Sequence, residues 1–315
     1  MIPLDNGNNA RLLWDRFGDF ISVGADRFAV LVSALKEAGL IDDGARPGGA
    51  VVTLAGRRHI FVPAKQLDKK KAVILLAHYD CVMGSPGAND NGAAVFTLIE
   101  AAWNLRKNGV KDWLVIFTDK EELCKGEKLT AQGSFMLARG MKEAGFKNNP
   151  CFIFDTVGRG ETLVISTTAK YLLKESANLS WSTESLTMRK AVEDLNYRAL
   201  EAARKLNLTR LVLLPTPFSD DAGFFRAGFP AQTITVLPKQ EVSPFHLLVR
   251  RNPAVIHSLV AEAEDAAGTV GNDDAFYPET WRLINSPRDT ADTLTPESFG
   301  VVEKFARALC MRDRG

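Results

Sequence analysis

Apolar and polar positions fall in two kinds of block along this chain. Short unbroken apolar runs occur at Ala72 to Ala77 in "KKKAVILLAHYD", in "DWLVIFTDKEE", in "CFIFDTVGRG" and in "TLVIST". Runs of this length without a polar gap predict strands buried on both faces of a sheet. Between them lie longer stretches with apolar residues three and four apart. These are Ala25 to Leu40, Gly92 to Gly109, "GSFMLARGMKEAGF" and the polar-faced "STESLTMRKAVEDLNYRALEAARKLN", and each predicts a helix. "AVVTLAGRRHIFVP" predicts two short strands around Gly56. "RLVLLPTPFSDDAGFFRAGFPAQTITVLP" reads as strand, loop, short helix and strand. A turn-rich segment with one helix follows at about Lys239 to Glu279. "TPESFGVVEKFARALC" predicts a closing amphipathic helix with Thr295 at its N-cap.

Strands alternating with helices specify an α/β fold, a three-layer αβα sandwich whose mixed, mostly parallel sheet carries helices on both faces. No internal repeat or low-complexity linker divides the chain. Residues 1–315 therefore read as a single domain, with 238–280 as an inserted flap.

Composition narrows the function classes. The 315 residues carry a net charge of +1, so no basic stripe announces nucleic acid. The apolar runs are far shorter than a membrane span. The opening residues lack a basic segment followed by a continuous apolar one, and no export signal is expected. Four cysteines, Cys81, Cys124, Cys151 and Cys310, show no metal or disulfide spacing and are expected as reduced thiols in a cytoplasmic protein. Nothing in the sequence sets an oligomeric state.

The chemistry lies where the strands stop. The first buried run ends in His78 and Asp80, the second in Glu121 and Glu122, the third in Asp155, and the Gly-rich loop after the first delivers Asp90. One acid in a turn is ordinary. Acids brought to one sheet edge from four places in the chain would repel one another and resist burial. One or two divalent cations among them would resolve that repulsion.

These residues sit in segments that resemble metallopeptidase family twenty-eight, the dizinc aminopeptidase group whose relatives include glutaminyl cyclases. The resemblance rests on "AHYD", "GANDNGAA", "FTDKEEL…QGS", "FDTVG", "PFSDDAGFFRAGFPA" and "INSPRDTADTLTPE", and covers Val73 to the C-terminus. It implies a zinc-aminopeptidase-like fold. It also implies that His78 and Asp155 hold one metal, Asp90 bridges two, and Glu122 serves the other. Glu121 then matches the general base, and Asp80 orients the His78 imidazole. A peptide or small amide is the implied substrate.

The chain departs from the family at one ligand. Where the family places a histidine before "S-P-x-D-T", this chain has Asn285, a neutral amide oxygen that suits hard cations better than zinc. Two residues are candidates to complete that site, Asn285 itself and His246 in "EVSPFHLLV". His59 and His257 read as structural or solvated. The insertion "LCKGEKLTA" after Glu122 is either a surface loop or a wall of the substrate pocket. Asp220 and Asp221 either anchor a substrate amine or cap the next helix, the cap being preferred. The expected activity is metal-dependent exopeptidase hydrolysis. The alternatives are glutaminyl-cyclase-like aminoacyl transfer and a non-catalytic relative that has lost a ligand.

Overall fold

The computed structural model describes residues 15–42, 50–170, 183–260 and 276–311. Within them the chain builds one eight-stranded sheet in the order β1-β2-β4-β3-β5-β8-β6-β7. The strands are β1 (Ala50–Leu54), β2 (Arg57–Pro63), β3 (Val73–His78), β4 (Trp113–Thr118), β5 (Cys151–Phe154), β6 (Thr162–Ser166), β7 (Leu211–Leu214) and β8 (Gln232–Leu237). The central strands β4, β3, β5 and β8 run parallel. The β1–β2 hairpin pairs antiparallel with β4, and β6 lies antiparallel to β8. The sheet is thus mixed and mostly parallel, in the α/β class that the alternation of blocks predicts.

Alternation along β3 divides the core into two layers. Val73, Leu75 and Ala77 face one side, where α1 (Arg27–Glu37), α2 (Ala93–Lys107), α4 (Thr183–Lys205) and α9 (Pro296–Cys310) pack. Ile74 and Leu76 face the other, against α3 (Gly133–Glu143) and α5 (Asp220–Arg226). Each fully buried aliphatic side chain of this kind contributes roughly 1.5–3 kcal/mol. That makes the central strands the rigid base of the molecule and their ends dependable anchor points.

The first part of the segment expected as turn-rich is more helical than its sequence suggests, while residues 261–275 lie outside the described residues. Residues 239–260 form α6 (Lys239–Arg251) and α7 (Val255–Val260), and α8 (Glu279–Leu283) follows. Pro244 lies inside α6 and cannot donate the helical hydrogen bond of its turn. Phe245 and Leu248 nevertheless pack with Val164, Leu237, Tyr277 and Trp281 in a third apolar cluster, and that burial holds the helix. Among the described residues, no helix is long and apolar enough to cross a membrane.

Candidate metal centre

β3 is buried throughout and ends at His78, whose side chain has no exposed surface. The next strand over, β4, stops at Thr118, and three residues later the chain presents Glu121 and Glu122. On the other flank β5 stops at Phe154, and Asp155 follows at once. Parallel strands deliver all three exits to one edge, the usual place for a ligand in an open α/β sheet.

The fourth acid needs a loop that doubles back. Gly87 adopts a left-handed backbone (φ 55°), and a Cβ there would lie 2.5 Å from the Asp90 carbonyl, so the turn is closed to other residues. The loop is stitched to the β5 exit by two side chains. Asn91 donates to the Phe154 carbonyl at 2.9 Å, and the Asn89 side-chain oxygen accepts from the Gly158 amide at 2.7 Å. From the far side Asp289 accepts from the Asn89 and Asp90 amides at 2.8 and 2.9 Å.

Asp90 is thereby brought 3.1 Å from His78 Nε2, with Asp155 Oδ1 at 3.7 Å from the same nitrogen. Asp80 works from the opposite side of the ring, 3.5 Å from Nδ1. Its two carboxylate oxygens also accept from the Glu121 and Glu122 amides at 3.1 and 3.0 Å. One carboxylate therefore sets both the imidazole and the turn carrying the glutamates. Gln132 donates to Glu121 Oε1 at 3.1 Å and is itself held by Ser134 at 2.9 Å.

Electrostatics give the cluster its character. Burial alone would depress His78, but Asp155, Asp80 and Asp90 outweigh it and hold the imidazole well above its usual value. Burial, reinforced by neighbouring carboxylates, pushes Glu121 and Glu122 well above the carboxylate range. Burial likewise raises Asp90, Asp220 to about 7 and Asp289 to about 6. Asp80 moves the other way: burial opposes ionisation, yet His78 and the two backbone amides outweigh it. These acids resist sharing their negative charge, a repulsion that a divalent cation relieves.

The donor set fits such an ion. His78 Nε2, Asp155 Oδ1 and Glu122 Oε1 are buried without a well-aligned hydrogen bond, Nε2 facing only the Asp90 and Asp155 carboxylates, and buried polar atoms are rarely left so. Ligand atoms of His78, Asp90 and Asp155 lie within 4.8 Å of one another, as do those of His78, Glu121 and Glu122. One imidazole nitrogen with carboxylate oxygens is a suitable donor set for a first-row cation.

The remaining candidates fall elsewhere. Asn285, at φ 56°, is exposed on the wall of a cavity of about 120 Å³ that Asp90, Glu121 and Asp155 also line. Thr156, Thr216, Phe218, Thr233 and Trp281 complete much of that wall. His246 is exposed on α6 and lines no part of this cavity. His59 is buried on β2, where burial lowers its pKa to about 4. Residues 123–131 also stay off the cavity wall, and their turn is clipped by Glu127, which accepts from Lys120 Nζ and the Cys124 amide, both at 2.6 Å. Asp221, in the first turn of α5, accepts from the Ser219 amide at 2.9 Å, and the N-cap residue Ser219 makes no side-chain cap bond. Asp220 does not cap; it accepts from Thr118 Oγ1 at 2.6 Å behind the glutamates.

Three supporting residues escape a reading of the strand ends. Asp289 was visible only as part of a motif, and Gln132 only as the start of "QGS". Arg27 lies far upstream, although it shares the apolar stripe of α1 with Leu31, Ala34 and Leu35, an anomalous place for a charge.

A buried set of side chains that could hold a metal ion, at the open edge of a mixed α/β sheet, fits a metallopeptidase. The model of peptidase family M28 matches residues 60–310, and the chain belongs to that family. No protein of curated function matches the sequence. Solved structures share the fold at low identity. The LapA aminopeptidase of Legionella pneumophila superposes with a TM-score of 0.60 at 16% identity, over 96% of this chain and 68% of its own. A glutaminyl cyclase from an Acidobacteriales bacterium gives 0.58 at 16%, over 98% and 97%. The chain spans about half (48%) of BSAP, a zinc aminopeptidase from Bacillus subtilis, at 19% identity, 80% of this chain and a TM-score of 0.47.

Proposed function

We propose that the protein is a metal-dependent exopeptidase of the aminopeptidase type, hydrolysing the first peptide bond of a short peptide or a related small amide. The observation that carries this reading is the convergence of buried ligand atoms of His78, Asp90 and Asp155 beside Glu121 and Glu122, with His78 Nε2, Asp155 Oδ1 and Glu122 Oε1 left without a hydrogen bond. His78, Asp90 and Asp155 would hold one zinc ion, with Glu122 and the Asn285 amide oxygen available to a weaker second. A bound ion supplies Lewis acidity, which lowers the pKa of water and polarises the scissile carbonyl.

The chain's own residues do the rest. Glu121 takes a proton from the attacking water and delivers it to the departing amine. Its raised proton affinity suits a group that must both accept and release a proton near neutral pH. Gln132 holds the carboxylate in line, and Asp80 keeps the imidazole and the glutamate turn in register. The cavity that Asp90, Glu121 and Asp155 line is small, about 120 Å³. Its acidic floor suits a protonated α-amino group.

A second reading is favoured by the loss of the family's histidine at Asn285. Cyclisation of an amino-terminal glutaminyl residue needs one cation: the α-amine attacks the side-chain amide carbonyl and ammonia leaves. Glu121 would shuttle the proton from amine to ammonia. Zinc-loaded protein tested on aminoacyl-arylamides and on peptides with amino-terminal glutamine separates the two. Released arylamine supports hydrolysis, released ammonia without peptide cleavage supports cyclisation, and silence on both points to a non-catalytic relative.

A further inference from the structure

We propose that Arg27 is a positioning residue for the metal centre: its guanidinium staples the start of the β3–α2 loop to residues 86 and 87 in its middle, and so sets Asp90 against His78. This inference rests on reading His78, Asp90 and Asp155 as cation ligands. Arg27 belongs to α1 and lies outside residues 60–310, so it is not part of the segment that carries the family likeness.

The geometry is that of a staple. Arg27 is only 7% exposed. Nη1 donates to the Tyr79 and Asp80 carbonyls, each at 3.3 Å, immediately after His78. Nη2 donates to the Pro86 carbonyl and, at 3.3 Å, to the Gly87 carbonyl, immediately before the segment that carries Asp90. All four of these hydrogen bonds end on backbone carbonyls, two at the start of the loop and two just before the segment that carries Asp90. Phe20 supports the group from beneath, its ring centroid 4.6 Å from the guanidinium carbon. A Cβ on Gly87 would lie 2.5 Å from Nη2, so the loop closes tightly over the cation.

The far side of the loop is held by the opposite charge. Asp289 accepts from the Asn89 and Asp90 amides, while Arg27 donates to the carbonyls just upstream. The loop backbone is thus gripped with matching polarity on both sides. Only a planar fork of N–H groups reaches four carbonyls at once; a lysine ammonium offers one point charge and three donors.

A positioning role and mere charge balance predict opposite signs. Were Arg27 only a counter-charge to the acids, removing it would leave them more negative and tighten their hold on a cation. As a staple, its loss frees Asp90 and weakens that hold.

The test uses the full chain with Arg27→Lys, Arg27→Gln and, as a control on helix integrity, Asp26→Ala. The control removes the N-cap bond to the Ala29 amide, 3.0 Å long. Zinc affinity of the metal-free protein is measured by titration calorimetry, and hydrogen exchange of residues 79–92 by mass spectrometry. With zinc saturating, kcat and KM are then measured separately. Both Arg27 variants are expected to bind zinc about tenfold or more weakly, within the range seen when groups orienting metal ligands are removed. Their loop should exchange faster, with kcat falling more than KM changes, while Asp26→Ala behaves as the wild type. Unchanged or tighter zinc binding with unchanged exchange overturns the proposal. Arg27→Lys keeps the charge and carries the test should Arg27→Gln fail to fold. If the wild type binds no zinc, the reading of the metal centre fails, and loop exchange alone then decides the role of Arg27.

Discussion

Asp220 offers a quantitative test of the electrostatics behind the metal centre. Its side chain is completely buried; Oδ2 accepts from Thr118, whereas Oδ1 has no partner. Burial raises its pKa from 3.8 to about 7, so the native state retains a proton that the unfolded chain has released. A raised folded pKa contributes stability that is fully present below pH 3.8 and is lost as pH rises through about 7. The span corresponds to about 4 kcal/mol of stability lost by the metal-free protein at alkaline pH. Asp220→Asn keeps the oxygen that accepts from Thr118 and cannot ionise. The variant should therefore match the wild type near pH 4 and exceed it by up to about 4 kcal/mol near pH 8. Urea denaturation of metal-free protein across that range reads the difference. Parallel stability curves for the two proteins would refute the reasoning, because the buried charge would then cost nothing.

Three further outcomes follow from the same geometry. Glu121→Gln should lower kcat by about 10²–10⁴ while zinc content, measured by mass spectrometry of the metal, stays at the wild-type level. Asp80→Asn cannot accept from both glutamate amides and no longer charges the back of His78; zinc affinity should fall about 10–100-fold in calorimetric titration. Gly133→Ala would place a Cβ 1.8 Å from the Asp119 carbonyl oxygen. The β4 exit must move to admit it, and the variant should lose at least about 1–3 kcal/mol in denaturant unfolding, the usual cost of overpacking.

What the sequence disclosed depended on how local the cause was. β3, β4 and β5 were legible because strands buried on both faces are apolar at every position, whereas β8, with Gln232, Thr233 and Thr235 in it, was legible only from the turns around it. The gathering of His78, Glu121, Glu122 and Asp155 followed, since parallel strands export their ends to one edge. Asp90 was legible because its Gly-rich loop is short and bound to fold back. Strand order and the antiparallel run of β6 depend on long-range pairing and left no local trace. α6 was obscured by Pro244, whose unmade hydrogen bond is offset by tertiary burial of Phe245 and Leu248. His246 looked able to fold over the site only while α6 was read as turns; on a helix beside buried Phe245 it points to solvent. Asp289 and Arg27 act on backbone atoms some 200 and 60 residues away in the chain. Only the odd placement of Arg27 on an apolar stripe hinted at its burial.

In the proposed reading, acids from separate strands tolerate one another because a cation belongs among them. Anomalous scattering from crystals grown with zinc tests this most directly. A peak is expected between His78 Nε2 and the carboxylates of Asp90 and Asp155. No peak there, with these side chains turned away from one another, would contradict it.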